Sequence, residues 1–385
     1  MTSNASAKRV VVCSLEDWDE IWRRNQYLID SLLRADDAFE VLFVEPPVDP
    51  VHNLRTGRPV RLGGGLRVID GYQGRLRALQ PTKLLPRRLG GVADDLLERS
   101  VRRAVRRLGW TSPALWINDP AWLPLVRSTG WRSVYDITDD WVEADRGARE
   151  HDRLAASDAE LLQRSDEVVV CSPSLEAGKG GRRPVTLIRN AVDVARYRQP
   201  YERPADLPAV PVALYAGTLH EDRLDVDLVL ATARRLHDAG AALVFVGPNV
   251  LSAENTARLA ESPAITVLGR RPFDSIPGYL QHAHALVVPH IIDDFTESLD
   301  PIKLYEYLAV GRPIVSTAVA GFREIAGTEE VAVGDGPDFV AAVEAATTGG
   351  WVPTLVRDDV PDWPDRGRDM RAVLDRVWSA AGKPA

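Results

Sequence analysis

At 385 residues the chain is long for a single hydrophobic core, and two domains of ordinary size fit it better. With 45% hydrophobic and 26% charged residues it has the composition of a globular protein, which excludes disorder throughout, and a net charge of −8 argues against nonspecific binding to nucleic acid. No apolar run approaches the roughly 18 residues of a membrane span, and the opening MTSNASAKRVVVCS lacks the apolar core of a signal peptide, so a cytoplasmic address is expected.

Val10–Ser14 is a short apolar run closing on a polar loop, as a central parallel strand would. The stretch LEDWDEIWRRNQYLIDSLLR then shows helical spacing, and Glu40–Val44 is a second strand stopped by EPPVDP. Strand, helix and strand in this order make a parallel crossover, and the missing G-x-G-x-x-G turn disfavours a nicotinamide cofactor. Both cysteines, Cys13 and Cys171, end the same string VVVCS, and we read them as small apolar residues at strand ends, with no catalytic role.

Residues 53–90 have little periodicity and much Gly, Pro and Arg, which predicts a long excursion framing a cleft. Residues 51–110 hold 14 Lys or Arg against 4 Asp or Glu, an excess of +10. It reads either as the solvated face of an Arg-rich helix, Ala93–Gly109, or as a patch for an anionic lipid or acceptor. Strands at Ala114–Asn118, Ser133–Ile137, Asp166–Cys171 and Val185–Ile188 follow, with a helix over Ala144–Arg164. Polar groups cluster at the strand ends: Ser14 with Glu16 and Asp17, Asn118 with Asp119, Asp136 with Asp139 and Asp140, and Ser172. Ligands of open parallel sheets bind outside the carboxyl ends of the strands, so these groups are expected at one crevice. One of Asp139 and Asp140 is expected to cap the next helix, whereas Asp136 lies inside its strand.

Gln199–Pro211 has four prolines and no apolar period, and marks the domain boundary. The pattern then restarts, with strands at Val212–Ala216, Ala242–Gly247, Ile265–Leu268, Ala285–Val288, Pro313–Thr317 and Glu330–Val333 and a helix at Val226–Ala239. Gly217 lets backbone come close to a phosphate, and Arg223 can reach back to it.

Ser298–Ser316, SLDPIKLYEYLAVGRPIVS, reads as a loop, a short helix and a buried strand: Pro301 opens the helix, Gly311 ends it and Pro313 blocks continuation. The helix start favours an anion. Lys303 and Glu306 share one face near that start, either as a surface ion pair or as the grip on a ligand carrying phosphate and hydroxyls.

The pattern P-x-K-x-x-E-Y-L-A-x-G-x-P-I-V at Pro301–Val315 resembles the nucleotide-sugar signature of retaining GT-B glycosyltransferases of group 1, bacterial polysaccharide-type members above all. SLEDWDEIWRRNQYL, VYDITDDW and IRNAVDVARY are similar, in order, to elements of the family's acceptor domain, with Ala191 standing where the family has a glycine. The resemblance implies an α/β GT-B fold of two doubly wound Rossmann-like domains facing across a cleft. The N-terminal acceptor domain would span 1–198, a linker 199–211, the sugar-nucleotide domain 212–362 and a helix crossing back to the first domain 363–385. The implied donor set is Gly217, Thr218, Arg223, Arg270, Ser298, Leu299, Pro301, Ile302, Lys303 and Glu306, with Glu306 on the ribose hydroxyls. The family's second glutamate is replaced by Ser298, beside Glu297, and its arginine after the glycine by Thr218, so that Arg270 or Arg271 would supply the missing cation.

The activity implied is sugar transfer from a nucleotide diphosphate-sugar to a hydroxyl of a sugar, lipid-linked or small-molecule acceptor, with retention. Lys303 and Arg223 would neutralise the leaving diphosphate, Asp136 or Asp139 would orient the acceptor, and Glu16, Asp17 and Trp18 would line its subsite. No D-x-D pair stands on a strand edge of the second domain, Asp293 and Asp294 being adjacent, so neither metal nor other cofactor is expected. A nucleotide-sugar epimerase of the same fold and a catalytically silent sugar-nucleotide-binding module are the rival readings.

Overall fold

The computed structural model describes residues 7–57, 59–83, 91–138, 148–328 and 330–380. It divides into two compact units, Met1–Arg189 with Trp363–Ala385, and Asn190–Asp362.

In the first unit the short apolar runs become strands covered on both faces: Val10 to Cys13 are at most 1% exposed, as a parallel sheet under helices requires. The strands are β1 (Lys8–Cys13), β2 (Phe39–Val44), β3 (Gly65–Val68), β4 (Leu76–Gln80), β5 (Ala114–Ile117), β6 (Ser133–Ile137), β7 (Glu167–Val170) and β8 (Thr186–Leu187). They form one sheet in the order β3-β4-β2-β1-β5-β6-β7-β8. Pairing is parallel, from Lys8↔Phe39 to Cys13↔Val44 between β1 and β2, except for the antiparallel edge pair β3–β4 at Leu66↔Leu79. That pair corrects the expectation of an irregular excursion over 53–90. Leu76 and Ala78 of β4 are wholly buried, while Gly and Arg neighbours blur the two-residue period that would have announced the strand.

The helix Arg24–Ala35 packs against the last helix, Trp363–Ala380, which belongs to this unit: Tyr27 stacks on Trp363 at 4.9 Å and 5°. Met370, Val373, Leu374 and Val377 are completely buried there.

The second unit has β9 (Val212–Ala216), β10 (Ala242–Val246), β11 (Ile265–Gly269), β12 (Ala285–Val288), β13 (Ile314–Ser316) and β14 (Val331–Val333), all parallel in the order β11-β10-β9-β12-β13-β14. Crossing from β9 to neighbours on either side makes a doubly wound sheet whose switch point lies beside β9. The division between units falls at Arg189 and Asn190, so the proline-rich stretch 199–211 lies within the second unit. It is tied down there: Tyr201 N donates to Gln281 Oε1 at 3.1 Å, and Asp206 accepts from Arg271 and from Tyr279, both at 2.7 Å.

Candidate active site

β9 and β10 both end on glycines held in positive φ, Gly217 at 143° and Gly247 at 147°. A Cβ on Gly247 would lie 2.1 Å from the Gly217 carbonyl oxygen, so the two loops can meet only as bare backbone. A Cβ on Gly217 would approach Lys303 Nζ at 3.1 Å. The glycine turn and the helix Ile302–Val310, some 85 residues apart in sequence, therefore form one pocket of the second unit.

Pro301 precedes that helix as its N-cap and Gly311 ends it in the left-handed conformation, φ 69°. Lys303 and Glu306 are not paired with each other. Lys303 Nζ donates to Tyr215 Oη at 2.8 Å and lies 4.0 Å from the centre of the same ring. Glu306 accepts from Tyr197 Oη at 2.5 Å. Burial raises the Glu306 carboxyl above its ordinary range, against the Tyr197 hydrogen bond and the charges of Lys303 and Arg196.

Tyr215 Oη also lies 3.1 Å from His290 Nε2. Burial, with Lys303, Arg223 and His220 around it, pushes His290 well below the usual imidazole range, so the ring is neutral. The Arg223 guanidinium stands 4.9 Å from the centre of the Phe295 ring, with its nearest carboxylate, Asp222, 3.9 Å away. Two cations and two histidines therefore share this pocket. The repulsion between Lys303 and Arg223 would be relieved by an anion.

The remaining donor candidates divide. Thr218 O accepts from Tyr215 Oη at 3.3 Å, which places that loop in the pocket. Ser298 is buried and donates to Phe295 O at 2.7 Å, while its neighbour Glu297 is held by Arg323 at 2.6 Å. Leu299 and Ile302 are half-buried either side of Pro301. Arg271 is taken up by Asp206 and Tyr279, which leaves the exposed Arg270 as the available cation of that pair.

Asp300 is a member of the site that sequence reasoning missed. It is buried, accepts from Asn190 N (2.5 Å) and Tyr305 Oη (2.7 Å), and its own carbonyl accepts from Asn190 Nδ2 (2.5 Å). Asn190 thus fixes the loop just ahead of Pro301, and Ala191 beside it is buried with φ outside the positive range. The only early signal was the run IRNAVDVARY itself. Tyr197, which holds Glu306, sits in the helix Val194–Arg198, capped by Asp193.

In the first unit Asp136 is fully buried, and its carboxylate accepts from Trp116 Nε1 at 3.0 Å and Arg24 Nη2 at 3.3 Å. Its carboxylate oxygens thus hold Arg24 and Trp116. Asp139 lies outside the described residues. Glu16, Asp17 and Trp18 do sit together at the carboxyl end of β1. Glu16 pairs with Arg23 at 3.2 Å and is raised by burial. Asp17 accepts from Gln80 Nε2 at 3.0 Å, and the half-buried Trp18 packs edge-on to Phe43 at 5.1 Å. Beneath them the buried Glu45 accepts from Trp18 N (2.9 Å) and from Arg67 (2.6 Å). Among the described residues no three His, Cys, Asp or Glu side chains converge as a metal site requires.

Two Rossmann-like units, the second with a cationic pocket at its switch point, define the class: an α/β protein of the GT-B fold. Residues 210–348 match the family model described as glycosyl transferases group 1, so this part of the second unit is similar to that family. TuaH of Bacillus subtilis (strain 168), named as a teichuronic acid biosynthesis glycosyltransferase, is 24% identical over 247 residues, 60% of this chain and 62% of the relative. The chain thus spans less than two thirds of that protein's length. Among solved structures, sucrose-phosphate synthase from Thermosynechococcus elongatus superposes with a TM-score of 0.72 at 16% identity, over 97% of this chain and all of that one. The Anabaena protein HepE in complex with UDP-glucose gives 0.63 at 13%, over 96% and 99%. At such identities the likeness is one of fold.

Proposed function

We propose that the chain is a glycosyltransferase that moves a sugar from a nucleotide diphosphate-sugar to an acceptor hydroxyl. The observation that carries the reading is the pocket in which Lys303 Nζ lies against the Gly217 backbone while Glu306 is held one helical turn further on. An ammonium and a bare glycine turn suit a diphosphate, and a carboxylate nearby suits ribose hydroxyls, for which it is an acceptor of two hydrogen bonds.

As the sugar leaves, negative charge grows on the diphosphate. Lys303 is already aimed by Tyr215, and Arg223, which with Lys303 acts on His290, adds charge from the loop after β9, so little reorganisation is needed at the moment of bond breaking. With that charge met by side chains, the reaction needs no metal. The resemblance to group 1 enzymes implies retention, with the acceptor entering on the side the diphosphate leaves and the diphosphate oxygen taking its proton. Glu16, Asp17 and Trp18 offer carboxylates and an indole face to a sugar or lipid-linked acceptor. The UDP-glucose bound by HepE and the teichuronic acid assignment of TuaH make UDP-sugars and polysaccharide acceptors the first to try.

Titration calorimetry with UDP, GDP, ADP and dTDP tests the pocket. One of the four should bind, and Glu306→Gln should weaken it about 10-fold to 100-fold, as loss of a charged hydrogen-bond acceptor does. A wild-type chain that binds none of them, or a Glu306→Gln chain that binds as well as wild type, overturns the assignment.

A further inference from the structure

The helix Gly91–Arg107 buries Leu97, Val101, Ala104 and Val105 in the core of the first unit. At about 100° per residue, Val92, Leu96, Arg99, Arg103, Arg106 and Arg107 fall on the opposite side within about 100° of arc, and all six are exposed. The stripe is apolar in its first turns and cationic in the rest.

Some exposed arginines elsewhere are matched by carboxylates, Arg127 and Arg164 by Glu160, Arg235 by Glu344, Arg323 by Glu297 and Arg376 by Glu167, while Arg55, Arg61, Arg182, Arg234 and Arg270 have no carboxylate partner among the described residues but are scattered along the chain. No carboxylate among the described residues pairs with Arg99, Arg103, Arg106 or Arg107. In a chain of net charge −8, four unmatched arginines on one stripe call for an anion from outside. The exposed apolar residues give the second observation. All six large apolar side chains exposed among the described residues of the first unit lie between Leu54 and Leu96: Leu54, Val60, Leu62, Val68, Val92 and Leu96. A soluble polyanion would leave them in water, whereas a bilayer takes both kinds of side chain at once.

We propose that this stripe docks on an anionic phospholipid bilayer, Val92 and Leu96 entering the acyl boundary and the four arginines holding lipid phosphates through their paired N–H groups. Arginine suits the task because its stem lies along apolar surface while its planar head binds phosphate bidentately. The inference stands on the first unit alone and does not depend on the donor pocket.

Co-sedimentation of the full chain with vesicles of phosphatidylglycerol and phosphatidylcholine, and of phosphatidylcholine alone, tests it. Wild type should partition to the anionic vesicles and not to the neutral ones. Arg99→Ala/Arg103→Ala/Arg107→Ala should lose about fivefold per arginine, about 100-fold in all, with its melting temperature kept. Val92→Ser/Leu96→Ser should lose the part of binding that survives about 0.5 M salt. Three results overturn the proposal: a wild type that ignores anionic vesicles, a folded arginine variant that binds as wild type does, or full competition by soluble polyglutamate with no effect of Val92→Ser/Leu96→Ser. The last would make the stripe a polyanion site.

Discussion

Tyr215 has one hydroxyl and three polar neighbours: Lys303 Nζ at 2.8 Å, His290 Nε2 at 3.1 Å and Thr218 O at 3.3 Å. The lysine donates, so the single tyrosine proton goes to the imidazole or to the carbonyl, and either choice fixes the hydroxyl lone pair that aims Lys303. Tyr215→Phe keeps the ring face under the ammonium and removes only this bond, worth about 1 kcal/mol. The expected outcome is about fivefold weaker binding of a nucleoside diphosphate with the parent nucleoside unaffected, measured side by side by calorimetry. An equal loss for both would mean a damaged fold, and no loss for either would mean that the hydroxyl does not aim the lysine. Residues of this kind mark the limit of what a sequence discloses. Lys303, Glu306 and Gly217 were legible because each belongs to a local pattern, a helix face or a strand-ending glycine. Tyr215 looked like one more apolar residue of β9, and Asp300 became a site residue only because Asn190, 110 positions away, reaches it. The partners of Asp136 were hidden for the same reason, since only the folded chain reveals that Arg24 and Trp116 donate to its carboxylate.

Elements fared better where length and period agreed. The helix Ile302–Val310 between a proline and a left-handed glycine, the all-buried strands β9 and β12, and β1 with its buried run Val10–Cys13 follow from pattern alone. The edge pair β3–β4 does not, because four-residue and five-residue strands broken by Gly and Arg carry too few periods to register. Helix-to-helix electrostatics is likewise invisible before folding. Glu160 on the helix Ala148–Arg164 accepts from Arg164 on the same helix, at 2.5 Å, and from Arg127 on the helix Leu123–Thr129. Donation from Arg127 and then Arg164 outweighs desolvation and holds the carboxyl down to about 2, from an ordinary 4.5. A depressed carboxyl contributes stability in full above its unfolded pKa and loses it as pH falls through the folded one. Urea unfolding should therefore show wild type more stable than Glu160→Gln by a constant amount above about pH 5, the difference shrinking to nothing near pH 2. The amount is modest because both arginines are half in water. A difference that stays constant down to pH 2 would refute the linkage.

At the scale of the whole molecule, the chain returns to its first unit after completing the second. Val192 N donates to Pro361 O at 3.2 Å, so the beginning and end of the second unit are pinned side by side, and the residues after Asp362 are free to serve the first. The last helix is a substantial part of that unit's core. Met370, Val373, Leu374 and Val377 are all 0% exposed, Trp378 packs edge-on to Phe39 at 5.5 Å, and Lys8 pairs with Asp375 at 2.9 Å. Burying four such side chains contributes about 6–12 kcal/mol, which is the whole stability of an ordinary domain. The second unit buries its own clusters around β9, β12 and the helix Ile302–Val310, and among the described residues those clusters include none from the last helix. A chain ending at Asp362 should therefore lose hydrogen-exchange protection throughout β1, β2, β5 and β6 while β9, β10 and β12 stay protected, and calorimetry should show one surviving transition. Were both halves to remain protected, the last helix would be an accessory to the first unit; were both to be lost, the second unit could not fold on its own core.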